Sequence, residues 1–226
     1  MSKTIAIGDI HGELDHLKNL FKKLSFTKDD TIVFLGDYID RGKDSKGVID
    51  FVLSLEDKCN LVTLLGNHER MALESMKWSS GQISSAQMQK SWMMHGGYEC
   101  LESYDCKAVR DGYLTRALHK MLELHGQFLN NLKLTYETEN HIFVHGFLAH
   151  EQDVEDQEEW RCIWDSFREI YPHKSGKTVV CGHSIQRGGV VDDGFRICID
   201  TGSFLPDGYI TAMVIDGPKY SFVSSN

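Results

Sequence analysis

Three apolar runs near the N-terminus end in the same way. Ile5-Ala6-Ile7 runs into Gly8-Asp9-Ile10-His11, Thr31-Ile32-Val33-Phe34-Leu35 into Gly36-Asp37, and Leu61-Val62-Thr63-Leu64-Leu65 into Gly66-Asn67-His68. Between them, Leu14, Leu17, Leu20, Phe21 and Leu24 recur at helical spacing, and Val48, Ile49, Val52, Leu53 and Leu55 do so again. The order is β-α-β-α-β, in which crossover helices join parallel strands. Parallel strands deliver their carboxyl ends to one edge of the sheet, and ligand sites of open α/β sheets lie at that edge. An α/β fold with its chemistry on these loops is the first constraint.

Two later runs end alike, in Val144-His145-Gly146 and Cys181-Gly182-His183. Residues 69–131 between them are Met- and Leu-rich, lack proline and read as helical, with breaks at Gly81 and Gly96-Gly97. Residues 132–136 and 141–144 flank Glu137-Thr138-Glu139-Asn140 as a hairpin does. The stretch 151–159 is an acidic surface segment, and 178–181, 196–199, 209–215 and 219–223 read as strands. No internal repeat or Pro/Ser-rich linker divides the 226 residues, so 1–226 is expected to form one domain.

Asp9, His11, Asp37, Asn67, His145 and His183 are thus candidates to converge. A single Gly-Asp is ordinarily a turn, and a single histidine at a strand end is ordinarily a cap or core residue. Five such motifs in step with five strand ends are not explained that way. Oxygen and imidazole donors without cysteine suit manganese, iron or zinc in an open site better than a closed structural zinc. Six donors exceed the need of one catalytic ion and suffice for two if a carboxylate bridges. Glu69 either supports these loops from behind or places charge at a helix N-terminus. His16, His95, His119, His125, His141, His150 and His173 lack the strand-end setting and read as structural or exposed, with His95 and His150 the nearest exceptions.

The formal net charge of −9 argues against a general binder of nucleic acid or anionic membrane. No apolar run approaches the ~20 residues that span a bilayer, and the first residues do not form a signal peptide. The six cysteines include no CxxC pair and read as reduced thiols of a cytoplasmic protein. No cysteine is expected to sit in a phosphate-cradling Cys-x5-Arg loop, so attack by water is the expected route.

GDIHG (8–12), GDYIDRG (36–42), GNHE (66–69), VHG (144–146) and GHS (182–184) together resemble the signature set of calcineurin-like metallophosphoesterases. GDYIDRG and GNHE narrow the resemblance to the serine/threonine phosphoprotein phosphatases, and WMMHGGYE (92–99) and IDTGS (199–203) to their bacterial and phage branch. The resemblance implies a central β-sandwich of mixed sheets flanked by helices, with two divalent metal ions on the loops at one end. Manganese is the first choice, with iron or zinc as alternatives. By motif position, Asp9, His11 and Asp37 hold the first ion, Asp37 bridges, and Asn67, His145 and His183 hold the second. His68 is the general acid, paired with Asp40, and Arg41 and Asn67 bind phosphate.

The arginine that often precedes Gly-Asn-His-Glu is here Leu65, and the Trp-x-Arg of bacterial members is here Trp164-Asp165-Ser166. Arg168 takes the second phosphate-binding role, with Arg187 as the alternative. The implied activity is metal-dependent hydrolysis of phosphoserine and phosphothreonine, the implied partners are phosphoproteins or phosphopeptides, and the chain is expected to act as a monomer. Two other readings compete. Symmetrical diadenosine tetraphosphate hydrolases resemble this chain but tend to lack the acid of Asp-Arg-Gly, here Asp40. A scaffold without catalysis would be marked by lost ligands, and none is lost.

Overall fold

The computed structural model describes residues 2–79, 86–166 and 171–226. The N-terminal pattern forms as expected: β1 (Thr4–Ile7), α1 (Leu14–Lys23), β2 (Thr31–Phe34), α2 (Ser45–Leu53) and β3 (Asn60–Thr63). Four helices follow: α3 (Asn67–Ser79), α4 (Ala86–Trp92), α5 (Tyr98–Arg110) and α6 (Leu114–Asn130), with a kinked turn at Met93–Gly97 between α4 and α5, where His95 and Gly96 leave helical backbone. The break expected at Gly81 lies outside the described residues. Then come β4 (Thr135–Glu137), β5 (His141–Val144), α7 (Glu159–Trp164), β6 (Thr178–Cys181), β7 (Val191–Asp192), β8 (Arg196–Cys198), β9 (Thr211–Asp216) and β10 (Lys219–Ser224).

The strands form two five-stranded mixed sheets, ordered β10-β9-β1-β2-β3 and β4-β5-β6-β8-β7. β1, β2 and β3 are parallel, in a register that aligns Thr4 with Thr31 and Thr31 with Asn60. β5, β6 and β8 are parallel in the other sheet. The sheets face each other because successive side chains of a strand point to opposite faces. Ala6, Val33 and Leu35 from one sheet and Phe143, Val180 and Ile197 from the other share one buried cluster. The intervening Ile5, Ile7, Ile32 and Phe34 pack outward against Leu17 and Leu20 of α1, Val48, Ile49 and Val52 of α2, and α5 and α6. Ile142, Val144, Cys181 and Cys198 pack outward with Cys162 and Ile163 of α7. Each fully buried aliphatic side chain contributes roughly 1.5–3 kcal/mol.

Two details depart from the sequence reading. The hairpin strand expected at 132–136 begins at Thr135, because Lys133 bridges Leu64 in parallel and its backbone bonds Thr63 and Leu65. The segment after the acidic stretch is helix α7, whose two buried residues, Cys162 and Ile163, are enough to dock it. No helix among the described residues is long and apolar enough to cross a membrane. The architecture brings the carboxyl ends of β1, β2, β3, β5, β6 and β8 to one edge of the sandwich.

Candidate metal centre

The loops leaving those strand ends hold unusual backbone. Among the described residues, the non-glycine residues with positive φ are His11, Asp37, Asp40, Arg41 and His183, at 49°, 51°, 74°, 66° and 61°. Each such conformation costs on the order of 1–3 kcal/mol and persists only where its surroundings enforce it. All five had been singled out from sequence as site residues. Two glycines allow the approach. A Cβ on Gly66 would stand 2.1 Å from Asp37 Oδ1, and one on Gly182 would stand 2.1 Å from Asp9 Oδ1.

Asp37 lies at the middle of the cluster. Its Oδ2 is 3.4 Å from His11 Nε2 and its Oδ1 is 3.5 Å from His145 Nε2. Two donor groups share it: His11, Asp37 and His68 present ligand atoms within 4.8 Å of one another, and so do Asp37, His145 and His183. Asn67 Oδ1 is 3.0 Å from His145 Nε2 and 3.1 Å from His183 Nδ1. Asp9 sits at the edge of the cluster, where its carboxylate accepts the His183 backbone N–H at 3.1–3.2 Å.

The histidine tautomers test whether this pocket fits a cation. His11 Nδ1 is 3.0 Å from the Ile39 carbonyl, and His145 Nδ1 is 3.0 Å from the Leu35 carbonyl. A carbonyl only accepts, so both Nδ1 atoms carry the proton and both Nε2 atoms hold a lone pair. Burial lowers the pKa of both rings, to about 3 for His11, and keeps them neutral. Their lone pairs therefore face carboxylate and amide oxygens, acceptor against acceptor. Burial also raises the pKa values of Asp9 and Asp37, with neighbouring carboxylates adding to the effect. Divalent cations relieve both conflicts, so the donor set fits them.

Glu69 locks the loops together. It is fully buried, and its carboxylate accepts the backbone N–H groups of Gly66, Asp37, Tyr38 and Ile39 at 2.8–3.2 Å. Both roles open from sequence are met: Glu69 lies in the first turn of α3, and its carboxylate supports the loops from behind. Asp200 was missed. It is buried, and burial pushes its carboxyl pKa up to about 6. The signal was available, since Asp200 follows strand β8 as Asp9 follows β1.

His68 and Asp40 form a buried pair, with Nδ1 to Oδ2 at 2.6 Å. The other ring nitrogen is 4.0 Å from Asp37 Oδ2 and 3.4 Å from Arg41 Nη2. Burial drives the Asp40 carboxyl upward and the His68 imidazole downward. A bound phosphate dianion acts in the opposite sense and favours a protonated imidazole beside it. Arg41 is exposed at the mouth, with its guanidinium 4.2 Å above the Phe204 ring, which also packs edge-on to His11. A cleft of about 270 Å³ opens beside it, lined by Met93, Met94, His95, Tyr98 and Glu99.

Other sequence candidates lie elsewhere. Arg168 lies outside the described residues. Arg187 is exposed on a turn with no described contact to the cluster. His150 pairs with Glu151 and packs on Tyr171, away from the cluster, whereas His95 borders the cleft beside Arg41. Cys162 and Arg168 have the Cys-x5-Arg spacing of cysteine-dependent phosphatases. Cys162 is fully buried in α7, however, and burial pushes its thiol up to about 12, which makes it a core residue.

Comparison with known proteins agrees with this geometry. The family model described as calcineurin-like phosphoesterase matches residues 2–187. Serine/threonine-protein phosphatase 2 of Salmonella typhimurium is 26% identical over 219 residues, 88% of this chain and 86% of that protein. Its Escherichia coli namesake is 37% identical over 92 residues, 40% of this chain and 37% of that protein. A symmetrical bis(5'-nucleosyl)-tetraphosphatase of Legionella pneumophila is 45% identical over 65 residues, 28% of this chain and 23% of that protein. A solved structure titled as a putative diadenosine tetraphosphatase superposes with a TM-score of 0.66 at 22% identity, covering 99% of this chain and 93% of that one.

Proposed function

Because the chain belongs to the calcineurin-like phosphoesterase family, we propose that it is a metal-dependent phosphoprotein phosphatase acting on phosphoserine and phosphothreonine. Asp9, His11, Asp37, Asn67, His145 and His183 would hold two divalent ions, with Asp37 the residue common to both donor groups and manganese first among the candidates. When bound, two divalent cations neutralise the phosphate dianion and lower the pKa of water enough to supply a nucleophile near neutral pH. Arg41 offers its planar fork to two phosphate oxygens, held in place by the Phe204 ring. Asn67 and Arg168 complete the phosphate contacts in this reading. His68 delivers the proton from Nε2 to the departing alkoxide while Asp40 orients the ring and supports its positive charge.

The observation that carries the choice of substrate is the His68–Asp40 contact of 2.6 Å at the phosphate-binding arginine. A serine alkoxide is a strong base and leaves only with a proton. A nucleoside polyphosphate leaves as a weak base and needs none, so a buried, oriented acid favours the phosphoprotein. The symmetrical dinucleoside tetraphosphatase reading has its own support in such relatives, matched at 45% identity over 65 and 67 residues. We propose further that the enzyme is cytoplasmic and acts as a monomer with one catalytic domain.

Kinetics with manganese decide between the two. A phosphoserine peptide should show the higher kcat/KM, and diadenosine tetraphosphate the lower. A reversed order assigns the protein to the dinucleoside polyphosphates.

A further inference from the structure

We infer that Trp92 is a positioning residue for the proposed acid: its indole N–H fixes the Asp40 carboxylate that orients His68, and the turn following it seats Arg41. The inference rests on the reading of His68 as general acid. Trp92 is fully buried at the junction of α4 and the kinked turn Met93–Gly97. Its Nε1 is 2.9 Å from both carboxylate oxygens of Asp40. Asp40 Oδ2 therefore accepts from the indole and contacts His68 Nδ1 together. The torsion that turns a carboxylate about its Cβ–Cγ bond is broad. A donor straddling both oxygens narrows it, and the orientation of His68 follows.

The turn acts on the same two residues through the backbone. Gly96 has φ of 112°, and a Cβ there would stand 2.3 Å from the Arg41 backbone nitrogen and 2.9 Å from Asp40 Cβ. Gly97 lies against the Trp92 ring, with its would-be Cβ 2.9 Å away. Asp40 and Arg41 both have positive φ, so an enforcing surface is required, and the Met93–Gly97 turn lies against that pair.

Trp92 also packs in the core cluster beneath α5 and α6, so a structural role alone must be separated from a positioning one. Trp92→Phe keeps an apolar ring and removes the N–H. Phenyl phosphate and p-nitrophenyl phosphate differ in how much their leaving groups need a proton, and they serve whatever the physiological substrate is. The fall in kcat should be on the order of five- to tenfold larger on phenyl phosphate, part of the roughly 10²–10⁴-fold that a positioned acid supplies. KM and metal content should hold. In the Asp40→Asn background Trp92→Phe should add little, because the two act through one group.

Equal losses on both substrates, or additive losses in the double variant, would overturn the inference and leave Trp92 as packing. His68→Asn is the reference: if it shows no leaving-group dependence, the acid reading fails and the inference falls with it. Benzothienylalanine at position 92 keeps the indole's shape without its N–H. It gives the same readout if the Phe side chain disturbs folding.

Discussion

Gly66→Ala tests how tightly the loops are packed around Asp37. The added methyl would stand 2.1 Å from Asp37 Oδ1 and 2.4 Å from its backbone nitrogen. Ordinary contact begins near 3.4 Å, so the Asp37 backbone must retreat by about 1 Å, far beyond the roughly 0.2 Å tolerance of a metal–ligand distance. Overpacking of this kind costs about 1–3 kcal/mol, which in a chain of this size lowers Tm by roughly 2–4 °C per kcal/mol. A misplacement of about 1 Å in a catalytic group costs on the order of 10²-fold in rate.

Gly126→Ala is the control. Its methyl would meet only the Leu122 side chain, with Cδ2 at 3.4 Å and Cβ at 3.9 Å, inside α6. Removing a helical glycine should stabilise by roughly 0.5–1 kcal/mol, with activity unchanged. Calorimetry, metal analysis and p-nitrophenyl phosphate turnover check both variants. If Gly66→Ala keeps full metal content and turnover within about threefold of the parent, against the roughly 10²-fold expected, the close approach does not set the position of Asp37.

Asp37→Asn should lose more metal and more activity than Asn67→Asp, because Asp37 faces both donor groups and Asn67 only one; metal content measured on both variants should follow the same order. His68→Asn should lose most of the roughly 10²–10⁴-fold of general acid catalysis on a phosphoserine peptide and clearly less on p-nitrophenyl phosphate, with metals retained. Stability should carry an acid limb from His125, whose ring accepts the Tyr104 hydroxyl at 2.6 Å and reaches Asp50 at 3.1 Å. Burial holds its pKa below the usual value, with Lys46 adding to the effect and Asp50 opposing it. Its contribution is thus present above about pH 6.5 and lost as pH falls through the lower folded value. His125→Asn should flatten that limb in denaturant titrations at pH 7 and pH 5, and an unchanged slope would refute the assignment.

The strand-end donors were legible because two local rules coincide at them. Alternating apolar runs mark buried strands, and Gly-Asp or Gly-His marks the turn where each chain leaves the sheet. The two-sheet sandwich was legible only through family resemblance, since the pairing of β9 with β1 joins segments about 200 residues apart and no local pattern encodes it. Glu69 read equally well as a helix-end charge. Besides that role, it holds the amides of Asp37, Tyr38 and Ile39, about 30 residues upstream, which only the fold brings near. Trp92 and Phe204 were hidden for the same reason, because a bulky ring in an apolar sequence context looks like core. Helix α7 was masked by the acidic residues before it, which leave only two side chains to bury.

The decisive measurement is metal titration of the metal-free chain followed by hydrolysis of a phosphoserine peptide. Turnover should be absent in chelator, rise as manganese is added and saturate at two equivalents per chain. Full turnover in chelator, or saturation at one equivalent, would contradict hydrolysis by two ions.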